Sequence, residues 1–166
     1  VVTKHQPNAV FSHNLQRADA RWGGSESGTV AYPCWSTFPY PVTGAGESAR
    51  PEIAANNFAL LKRGDPKGSY WLPAMSDAPL RGHGGHEWFW EPGDERLLQP
   101  LPKLIDMYCR SVGHNSTLIL GLTPNTRGLL PDADVARLKE FGATIDRMFG
   151  HALAATADDK SWYVQA

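Results

Sequence analysis

Apolar residues recur regularly in the last third of the chain and irregularly before it. Leu101, Leu104, Ile105, Tyr108, Cys109 and Val112 fall at helical spacing, which predicts a helix over 101–112 with one apolar stripe. Gly113 follows it as a natural C-terminal cap. Residues 118–122 form a continuous apolar run, as in a strand buried on both faces. The turn-rich segment 123–128 then leads to a second helix. Its stripe is Val135, Leu138, Phe141, Ile145 and Met148, and Asp132 or Asp134 can cap its first free amides.

The earlier part is less regular. Ala9, Val10, Phe11 and Ser12 make a short apolar run that predicts another buried strand. A polar loop follows, holding Arg21, Trp22, Gly23, Gly24, Ser25 and Glu26. Between residues 29 and 80 the pattern is broken by Pro33, Pro39, Pro41, Pro51 and Pro66, with a helical stretch within 54–62 and an extended segment at 70–73. A glycine- and histidine-rich stretch, 81–86, runs into Glu87, Trp88, Phe89 and Trp90. Residues 161–165 begin a strand of a further module. The clear elements run strand, loop, helix, strand, loop, helix, which fits α/β architecture with parallel strands. Functional loops then belong at the C-terminal strand ends, after Ser12 and after Leu122.

The 166 residues suffice for one domain with a core. A net charge of -1, from 16 basic and 17 acidic residues, argues against nucleic-acid and membrane-surface roles. No stretch of about 18 apolar residues predicts a membrane span. No basic-then-apolar leader opens the chain, although Val1 is not a start methionine. Cys34 and Cys109 are too few for a disulfide framework and are expected as free thiols. Six tryptophans, 16 glycines and 13 prolines suggest ordered loops carrying aromatics, as sugar-binding clefts have.

Two loops hold candidate chemistry. In the segment Arg21 to Gly28, an arginine can fork hydrogen bonds onto sugar oxygens, an aromatic can pack on a sugar face, and Glu26 can transfer a proton. A solvated loop with a local Arg–Glu pair is the plainer reading of the same residues. In the stretch 81–90, His83, His86 and Glu87 lack the further ligand and stiff support that zinc needs, so no metal is expected. The glycines there lack a phosphate-loop spacing, so no nucleotide cofactor is expected either. The aromatics at 88–90 fit a core or a binding wall. No serine stands in a nucleophile-elbow pattern.

Taken in order, several segments resemble family 29 glycoside hydrolases, the α-L-fucosidases. Gln6-Pro7-Asn8-Ala9-Val10-Phe11-Ser12 is similar to the family's Gln-Pro-Asn strand entry. Arg21-Trp22 through Glu26-Ser27-Gly28 is similar to its Arg-Trp-x-Gly-x-Glu-x-Gly loop. Trp71-Leu72-Pro73-Ala74, with Asp77, Arg81 and Trp88-Phe89-Trp90, resembles its Trp-x-Pro-Ala segment. Ser111-Val112-Gly113-His114-Asn115 through Phe141-Gly142 resembles its closing helix-strand-helix. Met75, Glu91 and His114 depart from the family's usual residues. The resemblance covers about residues 6 to 150.

The resemblance implies a (β/α)8 TIM-type barrel, of which this chain is the C-terminal half, at residues 1–152. Residues 153–166 are a linker or the start of a following β-domain. It implies retaining removal of terminal α-L-fucose from a fucosylated oligosaccharide or glycoconjugate, without metal or cofactor. The nucleophilic aspartate would lie upstream, in the missing N-terminal half. Glu26 matches the acid/base, Arg21 a sugar-contacting arginine, and Trp22 and Trp88 aromatics of the fucose site. A secreted or periplasmic location follows from the resemblance alone. The alternative is a relative that keeps the cleft and binds carbohydrate without cleaving it.

Overall fold

The computed structural model describes residues 2–12, 18–39, 58–82, 88–151, 155–157 and 162–164. In chain order the elements are α1 (Val2–His5), β1 (Arg21–Trp22), β2 (Thr37–Phe38), α2 (Phe58–Arg63), β3 (Tyr70–Trp71), β4 (Ala74–Pro79), a 3-10 turn (Asp94–Leu97), α3 (Leu101–Ser111), a second 3-10 turn (Val112–His114), β5 (Ser116–Gly121), α4 (Asp132–Phe149), β6 (Ala155–Ala157) and β7 (Trp162–Val164). No helix among the described residues is long and apolar enough to cross a membrane.

The expected α/β arrangement with parallel strands is present. β1, β4 and β5 form a three-stranded sheet in that order, and both pairings are parallel. Arg21 lies opposite Ala74, and the β4–β5 register runs from Ala74 opposite Ser116 to Pro79 opposite Gly121. Because side chains alternate along a strand, this register sorts the sheet into two faces. Ala78, Leu118 and Leu120 point to the helices, where they pack with Leu80, Leu104, Met107, Leu138 and Phe141. Trp22, Met75, Asp77, Thr117, Ile119 and Gly121 belong to the opposite face.

Several local expectations are corrected. Residues 9–12 do not form a buried strand: Val10 is 76% exposed, and the contact to the sheet is an isolated parallel bridge from Ser12 to Ala20. Without a second strand packed beside it among the described residues, that short run has little to bury against. Gly113 does not cap α3. The helix tightens into the 3-10 turn, and Asn115 takes the left-handed conformation, φ 66°. Its amide nitrogen also donates to Cys34 O and Ser36 Oγ, both at 3.0 Å, which holds the chain in that turn. Neither Asp132 nor Asp134 caps α4; the cap position is Pro131, with no side-chain hydrogen bond. Asp134 instead forms a buried ion pair with Arg81, at 2.9 Å. The central strand β4 falls where the apolar pattern along the chain is irregular.

The small antiparallel pair β2–β3, with Thr37 opposite Trp71, sits beside the sheet. Arg21, the residue expected to contact a sugar, ties it in place from the packed side of the sheet. The side chain is 1% exposed. Nε donates to Leu61 O at 2.8 Å, one terminal nitrogen to Leu72 O, and the other to Trp35 O at 2.8 Å and Cys34 Sγ at 3.3 Å. Adjacent residues of a strand face opposite sides, so Arg21 and Trp22 cannot share one face. Trp22 takes the open side and Arg21 the packed one. Burial lowers the Arg21 pKa and raises that of Cys34, while the contact between them works the other way on both. Both cysteines are free thiols, Cys34 buried and Cys109 exposed.

Candidate active site

The site is built where β1, β4 and β5 end, on the face away from the helices. β1 ends at Trp22, and the chain then makes a tight loop over residues 23–28 before turning down toward α3. Backbone hydrogen bonds to the neighbouring strand close both ends of this loop: Gly23 N donates to Met75 O at 2.7 Å, and Gly28 N to Asp77 O at 2.8 Å. Gly28 is required at the return. Its φ is 68°, and an added Cβ would lie 3.0 Å from Ala78 Cβ and 3.1 Å from Met107 Sδ. Within the loop, Ser25 Oγ donates to Ser27 Oγ at 2.7 Å and accepts from Ser27 N at 3.2 Å, which keeps the tip compact.

Glu26 stands exposed at that tip. Trp88, arriving from the segment after β4, donates its indole N–H to Glu26 Oε2 at 3.4 Å. Below it, Trp22 donates its indole N–H to Asp77 Oδ1 at 2.7 Å. Two indole–carboxylate pairs therefore lie on one loop and its supporting strand. Trp88 also rests on the end of β5, since the space a Cβ would take at Gly121 is filled by its ring. The arrangement presents a carboxyl that can give or accept a proton at the mouth of an aromatic-walled surface.

The structure thus joins Glu26 to Trp88 by a hydrogen bond, places Trp22 at the root of the Glu26 loop, and turns Arg21 away. His83, His86 and Glu87 lie outside the described residues. Among the described residues no group of three or more His, Cys, Asp or Glu side chains is placed to hold a metal ion. The residue that sequence reasoning passed over as a site member is Asp77. Burial alternates through β4, with Met75 and Asp77 both half-buried between buried neighbours, which puts Asp77 on the same face as Trp22.

No family model matches the chain. Alpha-L-fucosidase 1 of Arabidopsis thaliana is 31% identical over 152 residues, 92% of this chain and 27% of that protein. A Bacteroides thetaiotaomicron VPI-5482 crystal structure, assigned as an α-L-fucosidase, is 55% identical; it superimposes with a TM-score of 0.82 over 95% of this chain and 35% of its own. The family is that of the α-L-fucosidases, glycoside hydrolase family 29. A family 29 fucosidase of Ruminococcus gnavus, solved in complex with fucose, matches 87% of this chain and 27% of its own at 26% identity and a TM-score of 0.66. This fucosidase-like chain spans about a quarter of the curated relative and about a third of the Bacteroides structure.

Proposed function

We propose that this chain is the C-terminal part of the catalytic barrel of an α-L-fucosidase, and that Glu26 is its general acid/base. The observation that carries the reading is the position of Glu26. It stands on the loop leaving a parallel strand's C-terminal end, in hydrogen-bond contact with Trp88. That end of the strands is where barrel enzymes place their chemistry. The substrate is terminal α-L-fucose on a glycan, as the fucosidases among the relatives suggest.

Retaining hydrolysis uses two carboxyl groups about 5 to 5.5 Å apart. In the first step an aspartate supplied upstream attacks the anomeric carbon, and protonated Glu26 gives its proton to the departing glycosidic oxygen. In the second step ionised Glu26 takes a proton from water, which attacks the same carbon and releases the aspartate. Trp22 and Trp88 wall the sugar, and Trp88 also orients the carboxyl. Residues 1–152 supply this part of the barrel, and residues 153–166, with the antiparallel pair β6–β7, begin a following β-domain.

The test is product stereochemistry in the full-length polypeptide that carries this chain. Hydrolysis of an aryl α-L-fucoside, followed by proton NMR from the first seconds, should give α-L-fucose before mutarotation. β-L-Fucose first, or no hydrolysis of any fucoside by that polypeptide, would contradict the reading; binding without hydrolysis would make it a carbohydrate binder.

A further inference from the structure

We infer that Asp77 is a positioning residue for Glu26, a role that rests on the acid/base reading above. The loop that carries Glu26 has its root at Trp22 and its return at Gly28. Asp77 holds both. Its carboxylate accepts the Trp22 indole N–H at 2.7 Å, and its backbone carbonyl accepts Gly28 N–H at 2.8 Å. A further bond, Gly23 N–H to Met75 O at 2.7 Å, comes from the same strand two residues earlier. Glu26 itself is exposed, so little in its own surroundings fixes the carboxyl apart from Trp88. Its aim is therefore set largely at the loop's ends.

The support beneath Asp77 is stiff. β4 is the middle strand of the sheet, paired on both sides, and Ala78 next to Asp77 is fully buried in the helix-facing core. A carboxylate mounted there holds a fixed place. Its charge-assisted bond is shorter and stronger than a neutral one. An indole gripped in this way cannot swing, and the glycines after it begin the loop from a defined point. Catalytic groups carried on loops need such outside support to stay within the fraction of an ångström that proton transfer requires.

A positioning role differs from a structural one in its dependence on the leaving group. If Glu26 drifts, fucosides with poor leaving groups lose their proton donor, while activated aryl fucosides need none for bond cleavage, the step that kcat/KM reports. General damage to the fold lowers both rates alike. The experiment compares Asp77→Ala, Asp77→Asn, Trp22→Phe and Glu26→Ala in the full-length polypeptide. Substrates are an activated aryl α-L-fucoside and a fucosyl disaccharide, and amide hydrogen exchange over residues 23–28 is followed in parallel.

Asp77→Ala should lose about 10- to 100-fold in kcat/KM on the disaccharide and under about 3-fold in kcat/KM on the aryl fucoside, with faster exchange of the loop amides. Asp77→Asn keeps an oxygen that accepts the indole N–H, so it should recover most of the disaccharide rate. Trp22→Phe and Asp77→Ala should not add, because they break one contact. Equal losses on both substrates in Asp77→Ala, beside a selective loss in Glu26→Ala, would overturn this inference alone. A Glu26→Ala variant without leaving-group selectivity would overturn the acid/base reading beneath it.

Discussion

Trp88 packs so closely on Gly121 that a methyl group added there would lie 2.3 Å from the ring's Cζ3. The same ring donates to Glu26 Oε2. Gly121 thus provides the seat for a side chain that orients the proposed acid. Gly121→Ala should push Trp88 out of place and lower kcat/KM on a fucosyl disaccharide by about 10- to 100-fold. Trp88→Phe, which keeps an aromatic ring and loses the indole N–H, should be milder. Steady-state kinetics of the two variants check this; a fully active Gly121→Ala enzyme would detach Gly121 from the site.

Arg21 is expected to matter for folding and not for sugar binding. Its donors end on Leu61 O, Leu72 O, Trp35 O and Cys34 Sγ, and its guanidinium lies 5.7 Å from the centre of the Phe38 ring. Lysine keeps the charge but not the planar fork. Arg21→Lys should destabilise by about 2 to 4 kcal/mol through lost charged hydrogen bonds. Denaturant unfolding measures that, while KM for a fucoside, taken well below Tm, should stay near its normal value. A raised KM with unchanged stability would return Arg21 to the sugar site.

The regular C-terminal third was legible because its residues serve packing. Leu104 of α3, Leu118 and Leu120 of β5, and Leu138 and Phe141 of α4 face one core, so periodicity finds these three elements, although Cys109, Val112, Ile119 and Met148 of the same patterns are exposed. β4 was not legible. Ser76, Asp77 and Pro79 interrupt its apolar pattern: Ser76 is buried on the helix-facing side, Asp77 serves the opposite side, and Pro79 ends the strand. Its identity depends on pairing with β1 and β5, which a single sequence does not display. The pair Arg21 and Trp22 shows the same limit. Both types suit a sugar site, but strand geometry admits only one to that face. At the site, the Glu26 loop and Trp88 were legible through family resemblance. Asp77's two hydrogen bonds and the Gly121 seat needed three dimensions.

The Arg81–Asp134 pair links the end of β4 to the start of α4, with side-chain exposures of 1% and 0%. A second contact, Arg81 Nε to Asp134 Oδ2, is 3.4 Å. Arg81 Nη1 has no hydrogen-bond partner among the described residues, so the guanidinium depends on this one carboxylate. Removing one member leaves a buried charge unpaired. Asp134→Ala should therefore cost about 3 to 5 kcal/mol, and Arg81→Met combined with Asp134→Leu should recover much of it. A double-mutant cycle in urea tests this; additive losses would mean the two side chains are not coupled.

Cys34 and Cys109 should separate by reactivity. Burial raises the Cys34 pKa, with Arg21 opposing as the smaller effect. The thiolate is the reactive form, so at pH 8 Cys109 should label with a thiol reagent promptly and Cys34 only on unfolding. The unfolded chain ionises first, near its ordinary value of 9.0, and the folded thiol later. Cys34 therefore contributes stability that is present below that pH and lost as pH rises through the folded pKa. Cys34→Ala should flatten that loss. Equal labelling of both thiols in the native protein would contradict the buried position.

The role of Glu26 is tested most directly by chemical rescue. In the full-length polypeptide, Glu26→Ala should lose about 10²- to 10⁴-fold in kcat/KM on a fucosyl disaccharide and far less in kcat/KM on an activated aryl fucoside, whose kcat falls instead at the water step. The fucosyl-enzyme then accumulates, because no base activates water. Azide needs no base, and the space left by the carboxyl admits it. Added azide should restore turnover of the aryl fucoside and yield α-L-fucosyl azide, the configuration of the substrate. Equal losses on both substrates, no azide adduct, or a β-L-fucosyl azide would contradict the assignment of Glu26 as acid/base.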